Sequence, residues 1–133
     1  MKVSCIKNTA KDLNLQEVTT IFSHDYKYPL EVNKEYIVMG IAVYKDGNYP
    51  YYLIDDNGFP DWFPYSLFTI SDNSIPNNWF VEVHSKEDEG DILFLSGFNE
   101  LCNNDDYHDL LMDRDENAMR TYFKRKKEFE TEK

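Results

Sequence analysis

The sequence predicts a mainly β protein of the α+β class, with two helices at its C-terminal end. Three observations carry that prediction. Short alternations of apolar and polar residues recur from residue 2 to about residue 98, as half-buried strands require. Tight-turn dipeptides separate them, Asn57-Gly58 above all. After Asn103 the apolar spacing changes from two residues to a helical period. The aromatic share of 16%, with ten Tyr and nine Phe, agrees, because aromatic rings pack well on pleated surfaces. At 133 residues the chain is long enough for one domain with a real core and too short for two ordinary ones.

Each element follows from its local pattern. Residues 2–6, KVSCI, alternate as a first strand should. Residues 7–29 are mixed, with Leu13, Leu15, Val18, Ile21 and Phe22 loosely spaced, and read as an elaborated loop with one short strand at 18–22. From Leu30 the pattern sharpens. Val32, Tyr36, Val38 and residues 41–44 occupy strand-like positions, with Gly40 read as a bulge or bend. Residues 45–48, KDGN, form a turn, and residues 51–54, YYLI, return. A second hairpin turn spans residues 55–58, Pro64 ends the next strand, and residues 67–70 resume. Two later apolar stretches, 79–83 and 92–98, flank a charged loop and either form an extra hairpin or extend the sheet. Asn104 or Asp105 is placed to cap a short helix carrying Tyr107, Leu110 and Leu111. Asp113 and Glu116 have capping-box spacing ahead of a helix whose apolar face is Met119, Tyr122, Phe123 and Phe129. The domain thus divides into a β core over 1–72, a β extension over 73–103 and helices over 104–131.

The formal charge of −11 is unevenly placed. Residues 1–81 carry −4, residues 82–116 carry −10 and residues 117–133 carry +3. So negative a field repels phosphate backbones, which disfavours nucleic acid, and speeds encounter with a basic protein. Solubility alone is a second explanation of the same charge. No apolar run approaches the ~20 residues needed to cross a bilayer. The opening MKVSCIKNTAKDL has no apolar stretch or small-residue cleavage site, so no signal peptide is expected. Cys5 and Cys102, without metal-like spacing, fit free thiols in a reducing cytoplasm.

The first half of the chain also carries a resemblance. The order is V-x-C-I at residues 3–6, L-x-V-x-K-x-Y over Leu30, Val32, Lys34 and Tyr36, then YYLIDDNG at 51–58 and WFPYSLF at 62–68. This resembles small phage and bacterial proteins with a Src homology 3-like barrel, whose pattern opens one strand with L-x-V-G-K-x-Y and closes with W-[YF]-P-x-x-x-F. The resemblance covers about residues 2–72 and implies a five-stranded barrel in which the proline starts a single helical turn before the last strand. It implies no activity. Asn33 stands where the pattern has glycine. The acidic first-loop motif by which signalling domains of this fold grip proline-rich peptides is not recognisable, so proline-peptide binding is not carried over.

Short strands joined by glycine-bearing turns agree with such a barrel from physics alone. On that reading Tyr52, Ile54, Phe63, Leu67 and Phe68 are core, while Tyr51, Phe59, Trp62 and Tyr65 are exposed beside the rigid Pro50 and Pro60. Phe59, Asp61, Trp62 and Tyr65 form the expected binding anchor, rimmed by Asp55, Asp56 and Asp72. Trp62 has an equal claim to closing the barrel. Base stacking on these rings is disfavoured because residues 51–72 hold four Asp and no Lys or Arg.

No nucleophile motif, phosphate loop or zinc pattern is present, and His24, His84 and His108 are scattered. Asp55, Asp56, Asn57 and Asp61 lack EF-hand spacing, since an acid would be needed where Leu53 stands. Asp105, Asp106, His108 and Asp109 read as helix caps and a solvated face before they read as ion ligands. No cofactor and no metal are expected. The expected function is that of a non-enzymatic interaction protein, of inhibitor or immunity type, binding a basic protein. Small-ligand binding or sequestration is the alternative, and a metal-dependent enzyme the third. Should the aromatic anchor fail, the acidic segment 82–116 is the next expected surface.

Overall fold

The computed structural model describes residues 1–9, 26–45 and 49–131. The strand expected at 18–22, His24 and most of the turn at 45–48 lie outside the described residues. Within them the elements run β1 (Lys2–Cys5), β2 (Glu35–Ile37), β3 (Gly40–Tyr44), β4 (Pro50–Asp56), β5 (Phe59–Pro64), β6 (Phe68–Asp72), β7 (Phe80–Val83), β8 (Ile92–Gly97), α1 (Asn99–Asn103), α2 (Tyr107–Met112) and α3 (Glu116–Thr131). The protein is mainly β and α+β. Its strands form two antiparallel sheets, ordered β2-β1-β6 and β5-β4-β3-β8-β7, which do not close into one barrel.

The chain passes between sheets within two residues. Val38 N–H donates to the Met1 carbonyl at 3.0 Å beside the small sheet, and Met39 N–H donates to the Leu53 carbonyl at 2.8 Å in the large one. Both side chains are fully buried, Val38 in one core and Met39 in the other. The alternation of a strand explains this, since consecutive side chains leave opposite faces.

Strand β4 shows the same division along its length. Tyr52 and Ile54 enter the first core with Val3, Cys5, Tyr36, Phe63 and Leu67, between the two sheets. Leu53 enters the second, under the helices, with Leu101, Leu111, Tyr122 and Phe129. All five residues expected as core in this region are buried. The two-residue loop Asn57-Gly58 joins β4 to β5 with φ of 56° and 84°, the left-handed pair that a tight hairpin requires. Pro64 ends β5, and the single helical turn expected before the next strand is present at Tyr65–Leu67.

Several expectations are corrected. Gly40 is not a bulge: a side chain there would place Cβ 2.7 Å from Leu101 Cδ2 and 3.1 Å from the Ser96 carbonyl, so the glycine lets α1 lie on the sheet. Val32 is exposed and precedes β2 in a turn. The two later apolar stretches do both things expected of them, because β7 pairs with β8 and β8 pairs with β3.

Three helices, not two, follow the strands. The first, α1, spans only five residues, too few to print a helical period on the sequence. Neither Asn104 nor Asp105 caps α2, which starts after Asp106 without a side-chain cap, and Leu110 on it is exposed. Asp115, not Asp113, caps α3: its Oδ2 accepts from Ala118 N–H at 3.0 Å. The 16 residues of α3 contain no Gly or Pro, and Ala118, Tyr122 and Phe129 on one face are buried. Arg125 joins α3 to α1 through Glu100, Nη2 to Oε2 at 2.7 Å. No helix among the described residues is long and apolar enough to cross a membrane.

Candidate functional site

The residues expected at one site are distributed over both faces of β5 and beyond. Asp55 and Asp56 are not rim carboxylates. They are buried to 9% and 8% exposure, held on opposite faces of β4 by matching partners. Asp56 Oδ2 accepts from the Tyr36 hydroxyl at 2.9 Å and its Oδ1 from Lys34 Nζ at 3.0 Å. Asp55 Oδ1 accepts from the Tyr122 hydroxyl at 2.9 Å, and its Oδ2 from Lys126 Nζ at 3.0 Å. Burial alone would raise the Asp56 carboxyl, but the Lys34 ammonium and the Tyr36 hydroxyl outweigh it and hold the group below the usual carboxylate range. Burial pushes the Tyr36 phenol up to about 12, and raises Tyr122 well above its ordinary value. Such groups are neutral hydrogen-bond donors at neutral pH, and each fixes a carboxylate in place.

Phe59 and Asp61 are exposed, as expected. They line a cleft of about 300 Å³ with Pro29, Asp56, Asn57, Phe63 and Arg114. Phe59 stands 62% exposed at the start of β5 because the tight hairpin leaves its ring beyond the covered part of the sheet. The Arg114 guanidinium lies over that ring, 5.7 Å from its centroid, and donates to the Pro60 carbonyl. Arg114 has a φ of 63° between α2 and α3. Nothing in the sequence links it to a hairpin some fifty residues earlier; only the packing of α2 against β5 brings the two together.

Trp62 leaves the opposite face of β5 and is half-buried against the second core, so it does not share the Phe59 cleft. Its Nε1–H donates to His108 Nε2 at 2.8 Å. The other ring nitrogen, Nδ1, lies 3.7 Å from Asp109 Oδ1. Tyr65 is half-buried against the first core and stacks on Tyr49 with ring centroids 6.1 Å apart. Asp72, at the end of β6, lines a different cleft beside Met1, Lys2 and Phe129. Hydrogen bonds from Ser74 hold its carboxyl below the ordinary value.

The exposed Phe59 ring, the Asp61 carboxylate, whose Oδ1 accepts from Trp62 N–H at 2.8 Å, and the Arg114 guanidinium share one cleft with Asp56, which is held by Lys34 and Tyr36. No family model, curated protein or solved structure matches the chain.

Proposed function

We propose that this chain is a non-enzymatic interaction protein that binds a basic protein partner, with Phe59 as the aromatic anchor and Asp61 beside it. The exposure of Phe59 carries the reading. An aromatic ring at 62% exposure on a rigid hairpin contributes little to the core, yet it offers a low-entropy anchor to a partner. The formal charge of −11 favours a basic surface opposite it. Asp56 lines the same cleft but is engaged by Lys34 and Tyr36, Asp55 lies on the other face of β4, and Trp62 leaves the other face of β5.

The Src homology 3-like reading of residues 2–72, and with it a phage or bacterial origin, belongs to the same proposal. It is supported by the order β2-β1-β6, by β2 and β3 as nearly one stretch of chain, and by the helical turn after Pro64. A pull-down with immobilised protein tests the function. A stoichiometric basic partner that is retained by wild type and lost with Phe59→Ala is the expected result. Retention by Phe59→Ala removes the anchor from the proposal. The second reading, a small-ligand binder, rests on the cleft volume of about 300 Å³, which is at the lower limit of ordinary ligand pockets. A thermal-shift screen with small anions, cations and nucleotides decides for it if any one raises Tm in proportion to its concentration.

A further inference from the structure

The five-stranded sheet ends on β5 at one side and β7 at the other, and the two edges are built differently. The β5 edge carries Pro60 and Pro64, the charge of Asp61, and Arg114 on the Pro60 carbonyl. Those are the devices by which edges avoid pairing with another chain. Of these the β7 edge has only a charge, that of Glu82, and no proline. Its sequence is Phe-Val-Glu-Val, with Phe80 44%, Val81 63% and Val83 70% exposed.

The register shows which backbone groups are free. His84 N–H donates to the Leu93 carbonyl at 2.8 Å, and the ladder pairs Glu82 with Leu95 and Phe80 with Gly97. Antiparallel bonding alternates, so the even residues turn their N–H and C=O groups towards β8 while Val81 and Val83 turn theirs outward. Among the described residues these outward groups have no backbone partner. The Val81 and Val83 side chains leave the face away from the helices, because Leu95, opposite Glu82, enters the helical core. Val83 continues there into a half-buried strip, Phe94 on β8 and Val43 on β3.

We propose that the β7 edge takes an extended, basic segment of a partner protein as a sixth strand. The occupant follows from charge. Residues 82–91 hold Glu82, Glu87, Asp88, Glu89 and Asp91 against Lys86 alone. A second copy of this chain would set two such segments together, like against like, whereas a Lys- or Arg-bearing strand gains from the same field. The geometry also sets the pattern: apolar side chains on the Val81–Val83 face and basic ones on the Glu82 face, in strict alternation. This surface is separate from the Phe59 cleft, although it rests on the same reading of a basic partner.

The test uses the full chain and a capped octapeptide alternating Lys and Val, with an alternating Glu and Val peptide as control. Fluorescence anisotropy should show binding of the Lys peptide that weakens with salt, and none of the Glu peptide. Amide exchange should show new protection at Val81 and Val83, with Glu82 unchanged because its N–H already faces β8. Val83→Pro removes one outward donor and no bond to β8. Val83→Lys keeps the backbone and sets a charge opposite the peptide's apolar side chains. Each should weaken binding at least tenfold with its folded far-UV spectrum retained. Equal binding of both peptides, full binding by Val83→Lys, or protection that grows with protein concentration alone overturns the proposal. Loss of the Lys peptide with Phe59→Ala but not with Val83→Lys also overturns it, and leaves the basic-partner reading standing at the other edge.

Discussion

Asp55 and Asp56 are consecutive residues with the same two kinds of partner, a tyrosine hydroxyl and a lysine ammonium, yet they belong to different cores. Asp56 meets Tyr36 and Lys34, which lie about twenty residues away on the β2 side. Asp55 meets Tyr122 and Lys126 on α3, about seventy residues away. The Lys34 side chain is 44% exposed, whereas Lys126 is 22% exposed. The difference teaches that β4 is a shared wall. One of its faces is completed by nearby chain and one by the distant helix, and the distant side is the more enclosed.

The largest expected effect is on the distant side. Deleting residues 104–133 removes Leu111, Tyr122 and Phe129 and leaves Met39 and Leu53, both fully buried, facing water. Each such side chain is worth about 1.5–3 kcal/mol of burial, so the truncated chain should aggregate or lose cooperative unfolding. A soluble truncation with an unchanged urea midpoint would show that the first core stands alone. Next comes Asp55→Ala, which strands Lys126 in a largely enclosed site. Equilibrium urea unfolding should show a loss of about 3 kcal/mol or more.

Asp56→Ala should cost less, about 1.5–3 kcal/mol, because Lys34 can turn to solvent. If the two Asp variants are equally destabilised, enclosure does not distinguish the faces. The pH dependence sharpens the same comparison. The folded Asp56 carboxyl lies below its unfolded value, so its contribution is present above about pH 4 and is lost as pH falls through the folded value. Urea midpoints from pH 6 down to pH 2.5 should therefore fall more steeply in wild type than in Asp56→Ala. The smallest effect is expected for Phe59→Ala. Its ring is mostly solvated, so stability should change by no more than about 1 kcal/mol, the worth of the Arg114 contact.

The two cores were also unequally legible. Val3, Cys5, Tyr36, Tyr52, Ile54 and Phe63 alternate within short strands, and the chain between strands carries Asn57-Gly58 or follows Pro64, so the pattern names both the strand and its buried side. The helical core was legible only as an apolar face on α3. Leu101 and Cys102 sit in a five-residue helix with no readable period, and their seat depends on Gly40 and Gly97 facing each other across the ladder. The candidate site was legible in part. The exposure of Phe59 and Asp61 follows from a hairpin tip, but the same alternation forces Trp62 onto the other face, so a contiguous run of aromatics cannot make one surface. Asp55 and Asp56 look like a solvated acidic turn in sequence, because their partners come from other elements.

Period-two patterning, turn dipeptides and composition determined, without any structure, that the chain is mainly β to about residue 98 and helical beyond it. These are local properties: each depends on backbone preference and on side chains only a few residues apart. Tertiary structure alone decided that the strands form two sheets, that β4 is covered on both faces, and that Lys126 neutralises Asp55 while Arg114 lies on Phe59. Those outcomes depend on which distant segments share a small volume. It also decided that β7 rather than β5 is the open edge, since an edge is defined by the strand that is missing beside it, and no residue of β7 encodes that absence.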